Sequence, residues 1–332
     1  MKNKSCGIGG QAVLEGIMMK NKEKYAVAVR KPDKEIELKV EEHVGIGKAK
    51  IFKLPFIRGV FNFIDSMVLG IKTLTYSAEF YEEEEEKEKV ADKVTRTVFK
   101  EKAEAFLMGF TVFLSVCFSI ALFIVLPHFI SSWVENHYNV RDKAVISILE
   151  GFVRIAIFLI YILLVSMMQD IKRTFMYHGA EHKCINCIEQ GFELNVENVR
   201  MSSRFHKRCG TSFLFLVMFI SIVCFIIVSA ILPEDLKLWQ TTGVRLLLVP
   251  IIAGISYEIL KLAGNYDNLF IRIISAPGMW IQRMTTKEPD DSMIEVAIVA
   301  VEAVFDWKTY HALDKSKRTT FVNLKEESES EL

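Results

Sequence analysis

His178 and His182 lie four residues apart with Glu181 between them, in a stretch that the pattern predicts to be helical. Side chains at positions i and i+4 project from one face of a helix, so both imidazoles can bind the same ion. Imidazole nitrogens are ligands that divalent zinc prefers, and a neighbouring carboxylate can take a proton from a water held on the metal. The spacing therefore predicts a divalent metal site, with zinc favoured and Glu181 as the catalytic base.

A second pair of ligand residues, His206 and Cys209, lies just before the apolar segment that starts at Thr211. The order H-x-x-E-H is also that of the inverted zincins, in which both histidines bind zinc. A mixture of imidazole with one thiolate or carboxylate suits zinc, whereas more carboxylates would admit iron or manganese. We expect both pairs at the ends of neighbouring helices, on one side of a membrane.

The membrane prediction begins with composition. Of the 332 residues, 51% are apolar and 25% are charged, which indicates apolar spans joined to polar parts. Four segments are as long as the roughly 20 residues needed to cross a bilayer. They are residues 106–126, 144–168, 211–232 and 246–264. The first and third contain no charged residue, and the fourth, with Pro250 and Glu258, is expected to face the bundle interior.

Lysine and arginine predict the orientation. Residues 170–210 are rich in both, whereas residues 127–143 and 233–244 have few. Positive loops remain in the cytoplasm, so the ligand pairs and both termini are predicted to be cytoplasmic in a multi-pass protein of the cell membrane. At about 1.5 Å per residue, Glu258 lies about 20 Å along the fourth span from Arg245, at the cytoplasmic end where the metal ligands are predicted. Glu258 is therefore a further catalytic candidate. Further site candidates are Glu15, Arg208 and Glu288.

The flanking segments have their own patterns. Alternation at Tyr25, Val27 and Val29, and again from Ile36 to Val40, predicts a small β-rich unit that packs over the cytoplasmic ends of the spans. The fold class is thus mainly α, a polytopic membrane helical bundle of about four spans with a small N-terminal β-rich cytoplasmic unit. The predicted segments are 1–50 (β-rich unit), 51–104 (amphipathic or interfacial helix and acidic connector), 105–265 (bundle), 266–313 (cytoplasmic helical segment) and 314–332 (disordered tail).

Each of these patterns has a plainer interpretation. The histidine pair could be interfacial side chains that hydrogen-bond at a helix end. His206 and Arg208 could anchor the third span or bind a lipid phosphate. Glu258 could form a salt bridge with Lys261, and Glu181 could orient His182 without touching the metal. The helix over residues 54–80 could lie along the membrane surface or be an ordinary core helix.

Several longer motifs carry a resemblance to a family. They are Gly-Gly-Gln-Ala-Val-Leu-Glu-Gly-Ile-Met-Met (9–19), Tyr-His-Gly-Ala-Glu-His-Lys (177–183), Cys-Gly-Thr-Ser-Phe (209–213), Ala-Gly-Ile-Ser-Tyr-Glu (253–258) and Thr-Lys-Glu-Pro-Asp-Asp (286–291). In this order they resemble the YqhQ-type family, bacterial membrane proteins of unknown function that are sometimes described as predicted metal-dependent enzymes. The resemblance covers nearly the whole chain and implies a multi-pass membrane protein.

Two classes of function remain open. The first is a metal-dependent hydrolase that acts at the cytoplasmic interface on a lipid-linked or peptide substrate. The alternative is a non-catalytic transporter, ion-handling or membrane assembly protein. The first and third spans have no charged residues that could line a transport path, which weighs against a transporter. Four spans are also few for a transporter unless it forms a homo-oligomer. The lipid bilayer is the expected partner, and no nucleic-acid partner is expected.

Overall fold

The N-terminal part of the described chain is a four-stranded antiparallel sheet. The structure, a computed structural model, describes residues 6–43, 45, 54–86, 97–232, 238–265 and 268–313. Its strands are β1 (Ile8–Val13), β2 (Gly16–Asn21), β3 (Lys24–Arg30) and β4 (Ile36–Glu42), each paired with the next in chain order. The β-rich unit predicted from alternation is confirmed, including the hairpin of β3 and β4.

Helices form most of the remaining described chain. They are α1 (Ile57–Glu86), α2 (Thr97–Ile120), α3 (Leu126–Tyr138), α4 (Lys143–Ser166), α5 (Gln169–Gln190), α6 (Val196–Met201), α7 (Gly210–Ile231), α8 (Leu238–Asn265), α9 (Leu269–Thr285), α10 (Asp291–Val304) and α11 (Trp307–Leu313). A π-helical turn, Ala121–Val125, joins α2 to α3. The predicted tail, 314–332, and residues 87–96 of the predicted segment with the acidic connector lie outside the described residues.

Within the described residues, four helical segments are long and apolar enough to cross a membrane, as the sequence predicts. They are Gly109–Tyr138, Lys143–Ser166, Gly210–Ile231 and Trp239–Ala263. Helix α7 packs between α4 and α8, and α3 packs on α4. The expected loop after residue 126 is instead helix as far as Tyr138. Pro127 has no N–H to donate within this helix, and the carbonyl of Phe123, four residues earlier, accepts from Arg154 instead.

The sheet is covered on both faces. Tyr25, Val27 and Val29 of β3 pack toward Leu69 of α1 in one apolar cluster. The opposite face, which includes Ala26 and Ala28, packs against α5 and α10. Because successive strand residues point to opposite faces, this sandwich explains why β3 is apolar at almost every position. It also fixes one side of α5 firmly to the sheet.

Helix α1 contacts both the sheet and the bundle. Leu69 is buried against the sheet, and Gly59 approaches α8 so closely that an added Cβ would lie 2.7 Å from the Tyr257 Cβ. Met67 and Val68 on its outer face are about half exposed, at 49% and 54%. The helix therefore has a core-facing side, as one interpretation expected, and an apolar outer side, as the other expected. The division of the chain into five segments stays a prediction.

Candidate metal centre

Helix α5 carries His178 and His182, and its neighbours determine where they point. The helix follows α4 directly and packs against β1, α6 and α10. The chain after α9 also runs along α5, where the Lys287 amide donates to the Phe175 carbonyl at 2.9 Å. An added Cβ on Gly179 would lie 2.0 Å from the Lys287 carbonyl oxygen. Glycine at this position thus lets the segment between α9 and α10 approach the histidines closely.

His178, His182 and Cys209 form one compact group. One ligand atom from each lies within 4.8 Å of the others. The two imidazole centroids are 4.4 Å apart, and His178 Nε2 lies 3.2 Å from Cys209 Sγ. Cys209 caps the N-terminus of α7, and its sulfur accepts from the Thr211 amide at 3.4 Å. The fold thus brings three of the four predicted metal ligands to one point.

The Nδ1 atoms of both histidines form hydrogen bonds with backbone carbonyls. His178 Nδ1 lies 2.9 Å from the Thr285 carbonyl oxygen, and His182 Nδ1 lies 2.7 Å from that of Arg204. A carbonyl oxygen can only accept, so each Nδ1 carries the hydrogen. In a neutral imidazole, Nε2 then carries the lone pair that can bind a metal. Hydrogen bonds of this kind fix the tautomer and the ring orientation of metal-binding histidines.

The thiol of Cys209 is strongly influenced by the imidazoles. Burial opposes its ionisation, but His178 and His182 outweigh burial and hold the pKa of Cys209 well below its ordinary value. Burial also disfavours charge on His178, yet Cys209 raises the pKa of that imidazole to about 9. Without a metal, the group therefore favours a thiolate beside a protonated imidazole. The thiolate is the form of cysteine that binds metals, and a bound ion would take the place of the imidazole proton.

A cavity of about 120 Å³ adjoins the three side chains. Glu181 lines it and is 5% exposed, with its carboxylate 4.0 Å from His178 Nε2. The β1 backbone forms another wall, and an added Cβ on Gly10 would lie 3.0 Å from the Glu181 Cγ. A water molecule takes about 30 Å³ in the liquid, so the cavity has room for an ion with its waters or for a small reacting group.

His206 and Arg208 line the same cavity but have a different partner. The Glu189 carboxylate accepts from Arg208 and lies 3.5 Å from His206 Nε2. Burial works against ionisation of Glu189, but His206 and Arg208 lower its pKa to about 2. The buried Gln282 side chain accepts from the His206 amide at 2.9 Å and donates to the His206 carbonyl at 2.7 Å. His206 is thus fixed beside the three-residue group and outside it.

Three of the predicted site residues form ion pairs with basic side chains outside the His/Cys group. Glu258 forms a two-pronged ion pair with Arg58 of α1, and the pairing expected with Lys261 is not its main contact. Glu15 pairs with Arg173 at the turn between β1 and β2. Glu288 pairs with Lys183 at 2.9 Å and with Arg204 at 3.4 Å. The structure does not bring these carboxylates to the His/Cys group.

Sequence reasoning missed the groups that orient the ligands. The carbonyls of Thr285 and Arg204 have no residue-type signature. Gly10 and Gly179 lie within the family motifs, and Gln282 lies just before the last of them. Two glycines and one amide side chain were therefore the signals in the sequence that could have found them. Their roles depend on a close approach between distant segments, which only the fold reveals.

The fold and the site define a class: a helical protein with four membrane-length helices and a sheet-backed helix that carries a His/Cys group. The family model described as "Protein of unknown function (DUF1385)" matches residues 54–307. The chain is also 34% identical over 294 residues to uncharacterized protein YqhQ of Bacillus subtilis (strain 168), covering 87% of this chain and 89% of that protein. The chain belongs to this family, which confirms the resemblance carried by its motifs. Neither match names a metal or a reaction, and no solved structure matches.

Proposed function

We propose that this protein is an integral membrane protein that binds one zinc ion through His178, His182 and Cys209. One observation carries the proposal: both imidazoles donate Nδ1–H to backbone carbonyls, which directs both Nε2 atoms toward one buried sulfur. Two imidazoles and a thiolate suit zinc better than magnesium or calcium, which prefer oxygen ligands. Three protein ligands also leave a fourth position for water, as catalytic zinc sites do.

We infer that the reaction is hydrolysis. Zinc in such a site supplies Lewis acidity and makes water more acidic. Glu181 lines the cavity beside the ligands, so its carboxylate can accept the proton of the attacking water and pass it to the leaving group. The new bond joins the water oxygen to the substrate's acyl carbon or phosphorus, and the bond to the leaving group breaks. The sheet and α10 shield the opposite side of α5 from solvent.

The substrate proposed for this site is membrane-associated, either lipid-linked or peptide. Cys209 directly precedes α7, a membrane-length helix, and α5 follows another one, α4. A reactive group held at the end of these helices would lie at the bilayer interface. The proposed orientation, with both termini in the cytoplasm, follows from the lysine and arginine distribution and places the site on the cytoplasmic side.

A second candidate function is acyl transfer through a cysteine nucleophile. The distance of 3.2 Å between His178 Nε2 and Cys209 Sγ also suits a thiolate and imidazole pair, with Sγ at the start of a long helix. In that case the Cys209 thiolate would form a bond to the substrate's acyl carbon, the bond to the leaving group would break, and protonated His178 would give the leaving group its proton. Water or an acceptor hydroxyl or amine would then take the acyl group from Sγ, with His178 accepting the proton of that nucleophile. The reaction would need no metal.

The test uses the full chain in lipid vesicles with a panel of fluorogenic peptides and phospholipid esters. For the zinc hydrolase we expect hydrolysis that a chelator abolishes and added zinc restores. Glu181→Gln should lower the rate by about 10²- to 10⁴-fold while zinc remains bound. Glu193→Gln, in the turn after α5 and outside the cavity lining, is the matched control. Activity that survives the chelator but not alkylation of Cys209 would favour the second candidate.

A further inference from the structure

A second buried polar cluster lies among the membrane-length helices, far from the His/Cys group. Glu150 and Arg154 belong to α4 and Arg245 to α8, and they are 2%, 4% and 4% exposed. Phe225 of α7 lies against both guanidinium groups, with their Cζ atoms 4.9 and 5.1 Å from its ring centre. At about 1.5 Å per residue, Phe225 is about 24 Å along α7 from Cys209. The cluster is therefore near the opposite end of the bundle.

The charges in this cluster do not balance. Glu150 Oε1 accepts from Arg154 and from Arg245, at 2.6 Å each, and Oε2 lies 3.2 Å from His128 Nδ1. Within the described part of the chain, Glu150 is the only carboxylate within 4.0 Å of either guanidinium. One negative charge thus faces two positive charges, even with His128 neutral. An unbalanced charge among apolar helices is costly, so its presence indicates an anionic partner beyond the described residues.

The two guanidinium groups differ in how many hydrogen bonds they make. Arg154 also donates to the Phe123 carbonyl at 2.8 Å, in the π-helical turn, and to Ser221 Oγ at 3.4 Å. Arg245 donates to Glu150 alone, and its remaining N–H groups bond to no other described residue. The unused donors therefore belong to Arg245, one of the two positive charges that share the single Glu150 carboxylate. A guanidinium with free N–H groups is suited to bind an oxyanion.

We propose that Arg245 forms a binding site for a phosphate monoanion within the bundle, which stands independently of the zinc site. The membrane-length part of α8 begins at Trp239, which places Arg245 about 9 Å in from that end. Spans of this length extend past the hydrocarbon core of about 30 Å, so the level of Arg245 is near the lipid headgroups. The anion is either the headgroup of a phospholipid with net negative charge or inorganic phosphate, since both present the same oxygens.

The experiment measures thermal unfolding of the full chain in nanodiscs at constant ionic strength. One arm titrates inorganic phosphate in phosphatidylcholine discs, and the other replaces phosphatidylcholine with phosphatidylglycerol. We expect a saturable rise in the midpoint in one arm, and that arm identifies the source. The expected effect on Arg245→Gln, which leaves the Glu150 and Arg154 pair intact, is at least a tenfold loss of apparent affinity. Arg200→Gln, at an exposed pair with Asp291, is the control and should respond like the wild type.

Two results would overturn the proposal. The first is a wild-type midpoint that is independent of both phosphate and phosphatidylglycerol. The second is an Arg245→Gln protein that folds and still responds like the wild type. Should Arg245→Gln not fold, Arg245→Lys decides the matter: it keeps the charge but lacks the planar set of N–H donors, so its apparent affinity for the anion must fall, and a wild-type response would overturn the proposal.

Discussion

Gly179→Ala tests the close contact that holds the histidines in place. The added Cβ would lie 2.0 Å from the Lys287 carbonyl oxygen and 3.2 Å from its carbonyl carbon. Ordinary contacts are about 3.4 Å or longer, so the two segments must separate by more than about 1 Å. Such overpacking costs about 1–3 kcal/mol, against about 1 kcal/mol gained when alanine replaces glycine in a helix. We expect a net loss of up to about 2 kcal/mol.

The same change should weaken zinc binding. Lys287 cannot move away from α5 without disturbing its bond to Phe175 and the nearby Thr285 carbonyl that orients His178. Loss of a hydrogen bond that orients a metal ligand typically costs about 10- to 100-fold in affinity.

The assay is thermal unfolding and zinc titration of the purified chain. The control is Gly109→Ala on α2, where an added Cβ meets no atom within 4 Å and stability should hold or rise. A Gly179→Ala protein with unchanged midpoint and unchanged zinc affinity would refute the proposed role of this contact.

Three further predictions concern charged side chains. Glu150→Gln should destabilise the chain by about 3–5 kcal/mol because it leaves two buried guanidinium groups unpaired. Arg245→Met should cost little, since one balanced pair remains. Denaturation in detergent would check both variants, and equal losses of stability would contradict the charge count. Hydrogen bonds from Lys39 and Lys72 lower the pKa of Glu41 to about 2. The stability from this carboxylate, about 0.5 kcal/mol, should be present above its ordinary pKa of 4.5 and be lost as the pH falls toward 2. Glu41→Gln should remove this part of the acid dependence, and an unaltered acid titration would count against it. Arg58→Gln should lower the midpoint by separating α1 from Glu258, and Lys261→Gln, its control, should not.

The grouping of His178, His182 and Cys209 could be predicted from the sequence because two simple rules apply. Helical spacing puts both imidazoles on one face, and the alternation of apolar spans returns the start of α7 to the end of α4. The same rules brought His206, Arg208 and Glu181 to the cavity wall. The alternating β-rich unit was equally accessible, since period two is a direct consequence of strand geometry.

Glu258 illustrates what sequence could not provide. The helical rise estimates its depth along α8 but says nothing about its lateral neighbour. That neighbour is Arg58, which is available because Gly59 and Gly254 let α1 approach α8. Contacts between segments so far apart in the chain have no periodic signature. The same reason hid the carbonyl of Thr285 from sequence analysis.

The most direct test of the central claim is the zinc content of the purified chain, expressed without an affinity tag that binds metals and measured by elemental mass spectrometry. We expect about one zinc ion per chain in the wild type. Cys209→Ser and His182→Ala should each lose most of it, and Cys117→Ser, an exposed cysteine on α2, should retain it. A folded wild-type chain that binds no zinc after incubation with the metal, or variants that bind as much as the wild type, would contradict the proposed site.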